Sequence, residues 1–226
     1  WNEFIDHGHA VRRLVAIALG TMAFGMQDVL LEPYGGQVLG MSVGSTTSLT
    51  ATLAFGGLLG FGWASGVLSR GADPFRMAAG GALVGIPAFL AVIVSAPLGS
   101  VPVFACGVLG IGLGGGIFGH GTLTATMNSA TREQAGLALG AWGAVQATAA
   151  GVAVALGGVL RDLVSTLASQ GLFGAWLAGP VTGYAFVYGL ELVLLVATVV
   201  AMAALIGSAK PALQPGFNQE FERSSP

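Results

Sequence analysis

One stretch limits this chain more than any other. From Val11 to Gly40, VRRLVAIALGTMAFGMQDVLLEPYGGQVLG, the sequence opens on two arginines and then stays apolar. The apolar part is long enough to cross a bilayer, which takes about 20 residues of helix. Two acids interrupt it, Asp28 and Glu32, four residues apart and so on one face of a helix. Pro33, Tyr34, Gly35 and Gly36 follow. Proline removes a backbone donor and crowds the preceding turn, so the helix is expected to kink or break here. An ionisable group facing lipid costs about 2.5–3.5 kcal/mol on insertion scales. Both carboxylates are therefore expected to point inward, towards a cavity, a bound ligand or a neighbouring helix. Bonding to neighbouring helices for packing alone is the competing expectation.

The pattern recurs along the chain. Further apolar spans are expected over about Ser45–Leu68, Met77–Ala96, Val103–Met127, Ala135–Leu160 and Tyr184–Ile206, after a first span of about Leu14–Val38. Only 8% of residues are charged, against about 25% in soluble domains. The fold class is all-α: a polytopic membrane protein with six transmembrane helices over residues 11–208. Residues 1–10 are expected to be a cytoplasmic loop or linker, with His7 and His9 as solvated loop residues rather than a metal pair. Residues 209–226 are expected to be a cytoplasmic tail. The net charge of −2 points away from nucleic acid. A single cysteine, Cys106, gives neither a disulfide framework nor zinc spacing. The opening residue, Trp1, reads as the start of a fragment or a processed chain.

Inside the spans, glycines fall four apart: Gly56 and Gly60, Gly112 and Gly116, Gly115 and Gly119. Such pairs let helix backbones approach closely in lipid. Pro87 predicts a kink in the third span. Arg161 and Asp162 are expected to end the fifth, leaving a long connection, Leu163–Pro180, whose LFGAW can lie at the interface. Of the eight basic residues, all but Arg161 fall on one side when six spans are threaded. This places both termini in the cytoplasm.

Six spans, a short basic loop after the second and a long loop before the sixth resemble one half of a major facilitator protein, a six-helix repeat. The facilitator loop signature is degraded: Arg70 stands four residues after Gly66, where an acid is expected, and the nearest acid is Asp73. A closer resemblance lies in four strings: DVLLEPYGGQVLGMSV (Asp28–Val43), LSRGADPFR (Leu68–Arg76), FGHGTLTATM (Phe118–Met127) and GLALGAWGAVQATAAG (Gly136–Gly151). Together they resemble the PucC/LhaA family, a bacteriochlorophyll-delivery branch of the facilitator superfamily, from about Val11 to about Ile206. The match is to that family's C-terminal half, with its first six helices outside this chain. The resemblance implies an intracytoplasmic photosynthetic membrane as the location. It implies an assembly factor or accessory subunit that handles bacteriochlorophyll or chaperones antenna helices. Bacteriochlorophyll and carotenoid are the cofactors implied, and light-harvesting or reaction-centre subunits and lipid the partners.

Several side chains are candidates for that role. His120, between Gly119 and Gly121, is an intramembrane imidazole with room beside it for a flat macrocycle, and could ligate a chlorophyll magnesium. A hydrogen bond to a neighbouring helix is the plainer expectation for it. Asp28, Glu32 and Gln146 offer oxygen to magnesium. Trp142 shares a face with Gln146, and Glu191 is an acid within the sixth span. No other metal site is expected. An enzyme is not expected: there is no nucleophile elbow and no phosphate loop, and GLGGG lies in an apolar helix. The alternative is a proton-coupled solute carrier of the facilitator superfamily, with Asp28, Glu32 and Glu191 as proton sites. The glycine stripe Gly56, Gly60, Gly112, Gly116 and Gly119 is expected to serve helix packing, within the bundle or against an antenna helix.

Overall fold

The structure, a computed structural model, describes residues 9–131, 133–174, 177–179 and 181–206. Residues 1–8 of the expected loop, the tail from Lys210 and the aromatic Trp176 lie outside the described residues, and residues 9 and 10 already belong to the first helix. Among those described there are helices and turns only. In chain order they are α1 (His9–Gly25), a 3-10 turn (Met26–Val29), α2 (Leu31–Gln37), α3 (Val43–Leu68), α4 (Pro74–Leu98), α5 (Val101–Ser129), α6 (Ala135–Ser169) and α7 (Val181–Ala203). With α1 and α2 counted as one interrupted span, six segments are long and apolar enough to cross a membrane. The chain is a multi-pass membrane protein.

The ends follow local chemistry. Ser42, Asp73 and Ser100 cap α3, α4 and α5, each side chain accepting from an amide in the first turn. Gly99, at φ +56°, closes α4 in the left-handed conformation and hands over directly to Ser100. The first span does not break at Pro33. It breaks seven residues earlier, at the 3-10 turn, and Pro33 sits in the first turn of α2, where its missing donor has no intrahelical acceptor. The fifth span does not end at Arg161; α6 continues to Ser169, so Arg161 and Asp162 are helical and the connection is correspondingly shorter.

Packing centres on α5. Gly107, Gly114 and Gly121, seven apart, face α4: a Cβ on Gly114 would lie 2.7 Å from the Gly81 carbonyl, and one on Gly121 2.8 Å from the Ala78 amide. Gly112 and Gly116 face α3, where added Cβ atoms would fall 2.1 Å from the Leu53 carbonyl and 2.2 Å from that of Gly57. Gly56 and Gly60 answer from α3, against the carbonyls of Leu109 and Leu113. These four glycines are thus occupied inside the six-helix body. Gly119 is not: a Cβ there meets nothing within 4 Å.

The neighbours repeat. The first span packs on α6 and α7, α5 packs on α3 and α4, and α4 and α7 pack on each other. Exchanging the first three spans with the last three reproduces these pairings, although α6 and α7 pack on each other far more than their counterparts α3 and α4 do.

Candidate functional site

Polar groups collect where the first span breaks. A 3-10 turn interrupts the helical ladder, and amides freed there need acceptors from elsewhere. Glu191 of α7 supplies one: its Oε1 accepts from the Gln27 amide at 2.7 Å. Glu191 is 0% exposed, and its Oε2 has no hydrogen-bond partner among the described residues. Gln27, 2% exposed, donates from its side chain to the Phe24 carbonyl at 3.1 Å and to Asp28 Oδ1 at 2.5 Å. The Gln27 Oε1 and the hydroxyl of buried Tyr188, one turn before Glu191, are likewise unpartnered. Three unpaired oxygens so deep in one bundle are costly, at about 1–3 kcal/mol each.

Aromatic rings wall this cluster on the α7 side. Tyr34 stands edge-on to Tyr184 and Tyr188, at 5.4 and 5.5 Å between centroids. Its hydroxyl donates to the Val92 carbonyl at 2.9 Å. Towards the end of α6, Arg161 bonds to Asp162 at 2.5 Å, to Gln37 at 2.7 Å and to the Tyr184 hydroxyl, with its guanidinium over the Tyr184 ring. The knot ties α2, α6 and α7 together.

Asp28 and Glu32 do not point inward. Both are exposed on the flank of the six-helix body. The inward positions go to Leu30, Leu31 and Tyr34, each at most 4% exposed. The 3-10 turn re-phases the chain, and burying these apolar side chains at about 1.5–3 kcal/mol each outweighs burying the acids. Asp28 bonds to Gln27, and Glu32 accepts from the Thr50 hydroxyl of α3 at 2.6 Å.

The remaining candidates lie apart from the Glu191 cluster, with no hydrogen bond joining them to it among the described residues. Trp142 donates to the Thr122 hydroxyl at 3.3 Å, tying α6 to α5. Gln146 is half-buried on α6 and makes no hydrogen bond among the described residues. His120 is half-buried on α5, edge-on to Phe61 at 4.1 Å, with Nδ1 unpartnered. A shallow apolar groove of about 420 Å³ runs between α1 and α6, lined by Met22, Val145, Thr148 and Val152 among others. Among the described residues no group of three or more His, Cys, Asp or Glu could hold a metal ion.

Sequence reasoning missed Gln27, Tyr188 and the knot around Arg161. One signal was available: Tyr184, Tyr188, Glu191 and Leu195 follow helical spacing, which lines polar tips along one face of an apolar helix.

A family model described as "PUCC protein" matches residues 1–210. The chain belongs to the PucC family. It is 53% identical over 209 residues to Protein PucC of Cereibacter sphaeroides, covering 92% of this chain and 44% of that protein. It is 61% identical over 164 residues to Protein PucC of Rhodovulum sulfidophilum, covering 73% of this chain and 36% of that protein. A more distant relative, 32% identical over 154 residues, is the "Bacteriochlorophyll synthase 44.5 kDa chain" of Rhodobacter capsulatus; the match covers 65% of this chain and 35% of that protein. The chain thus spans less than half the length of these PucC relatives.

Proposed function

We propose that this PucC-family chain serves, as part of a facilitator-type membrane protein, in the assembly of light-harvesting or reaction-centre complexes. It would handle bacteriochlorophyll or chaperone antenna helices, as an accessory protein rather than an enzyme, in an intracytoplasmic photosynthetic membrane. The observation that carries the reading is the exposure of Asp28 and Glu32 on the surface of the six-helix body, within a span that is otherwise apolar. Carboxylates facing acyl chains are strongly disfavoured, so such a flank calls for protein or a polar ligand against it. The photosynthetic identity of that partner is supported by family membership and by the relative named for bacteriochlorophyll synthase.

The residues also fit a pigment. His120 is half-buried with its Nδ1 enclosed, which leaves Nε2 as the nitrogen to meet a ligand, and a Cβ on the neighbouring Gly119 would meet nothing within 4 Å. Asp28, Glu32 and Trp142 already have hydrogen-bond partners, and Glu191 is sealed inside. His120 is thus the side chain best placed to hold a bacteriochlorophyll, which would supply light absorption and not bond-making. The α1–α6 groove offers apolar surface for a carotenoid.

Purification from photosynthetic membranes in a detergent mild enough to keep other complexes whole is the test. Antenna chains and bacteriochlorophyll are expected to accompany the protein, and Asp28→Asn to reduce both while leaving insertion intact. A protein that arrives without either overturns the reading. A second reading, a proton-coupled carrier, is favoured by Glu191, a wholly buried carboxyl with a free oxygen. Solute uptake that collapses with the proton gradient and is lost in Glu191→Gln would support it.

A further inference from the structure

α3 and α4 are consecutive in the chain, yet both lean on α5 and touch each other little. The wedge between them is an open groove of about 410 Å³. Ile117 of α5 forms its floor, Trp63 one wall, and Met77, Gly80 and Val84 the other. A Cβ on Gly80 would meet nothing within 4 Å, so the groove is open there to the helix backbone. Asp73 and Arg76 stand at its mouth. From Asp73 to Val84 the groove follows eleven residues of chain, roughly 16 Å of helix rise. That is the depth of one hydrocarbon leaflet, about 15 Å.

The two ends differ in chemistry. The deep end is apolar. At the mouth, Arg76 is exposed and its guanidinium makes no hydrogen bond or ion pair among the described residues. Arg70, in the short loop that precedes α4, is exposed and equally unpaired among them. Asp73 is the acid nearby, and its Oδ1 is engaged by the Arg76 amide at 2.9 Å. A transmembrane helix is a poor occupant: it is about 10 Å wide and would need the groove to continue through both leaflets. A single acyl chain needs only one leaflet, and basic residues at a groove between spans recognise anionic headgroups.

We propose that the α3–α4 groove seats one acyl chain of an anionic phospholipid, with its phosphate against Arg76. The site is independent of the flank that carries Asp28 and Glu32. It makes lipid a bound component at this position rather than bulk solvent.

The protein, reconstituted in nanodiscs of equal phosphatidylglycerol and phosphatidylcholine with identical chains, would be released into mild detergent and weighed by native mass spectrometry. Phosphatidylglycerol should be retained about fivefold over phosphatidylcholine, the preference that one basic side chain near an anionic headgroup provides. Arg76→Gln should retain a lipid while losing most of that preference. Gly80→Trp should fill the groove and lose the lipid, with Val84→Trp as the replacement if the first variant does not accumulate. Inorganic phosphate should not displace the lipid. Equal retention of both headgroups by the unaltered protein, undiminished lipid in the groove-filling variant, or displacement by phosphate would each overturn the proposal.

Discussion

Glu191 acts as a helix cap delivered from another helix. Its Oε1 takes the Gln27 amide that the 3-10 turn strands in the interior. In a membrane no water is at hand to replace that acceptor. Glu191→Gln keeps an acceptor oxygen of similar reach, whereas Glu191→Leu leaves the amide bare. The leucine variant should therefore be less stable than the glutamine variant by about 1–3 kcal/mol, measured by reversible unfolding in mixed micelles. Equal stabilities would remove Glu191 from this role. An acid in an apolar helix was visible in the sequence as a buried residue, but its partner was not, because a backbone amide carries no letter. Asp28 and Glu32 show the reverse failure. Their spacing of four puts them on one face only if the helix is continuous, and the turn at Met26–Val29 decouples that face from the core.

Among the elements, α5 carries the packing, with one row of glycines against α4 and another against α3. Overfilling a tight contact costs about 1–3 kcal/mol, and here the obstacle is a carbonyl, which cannot swing aside. Gly60→Ala should lose about that much, because its Cβ would sit 2.2 Å from the Leu113 carbonyl. Gly119→Ala, with nothing within 4 Å, should be neutral or better, since alanine favours a helix by up to about 1 kcal/mol over glycine. Denaturation of the two variants side by side checks this; a Gly60→Ala protein as stable as the parent would refute the contact. Close approach was legible in the four-residue glycine spacing. Which helix lies opposite was not, since spacing marks a face without naming its neighbour. Leucine at Gly116, on this packing, should disturb the body itself rather than a docking surface.

For the whole molecule, six spans with seven of eight basic residues on one side predict a fixed orientation. With Cys106 replaced by serine, Arg76→Cys should react with an impermeant thiol reagent only from the cytoplasmic face. Labelling from the periplasm would invert the topology. The number and limits of the spans were largely readable, because a bilayer demands long apolar runs. The pairing of spans was not, because it depends on contacts between distant thirds of the chain. That pairing bears on how the protein is made. α3 and α4 leave the ribosome before α5. Until α5 has left the ribosome they have little to hold each other by, and its arrival joins them. A ribosome stalled before α5 has emerged would leave α3 and α4 unjoined, and one stalled after α5 has inserted would leave them held against it.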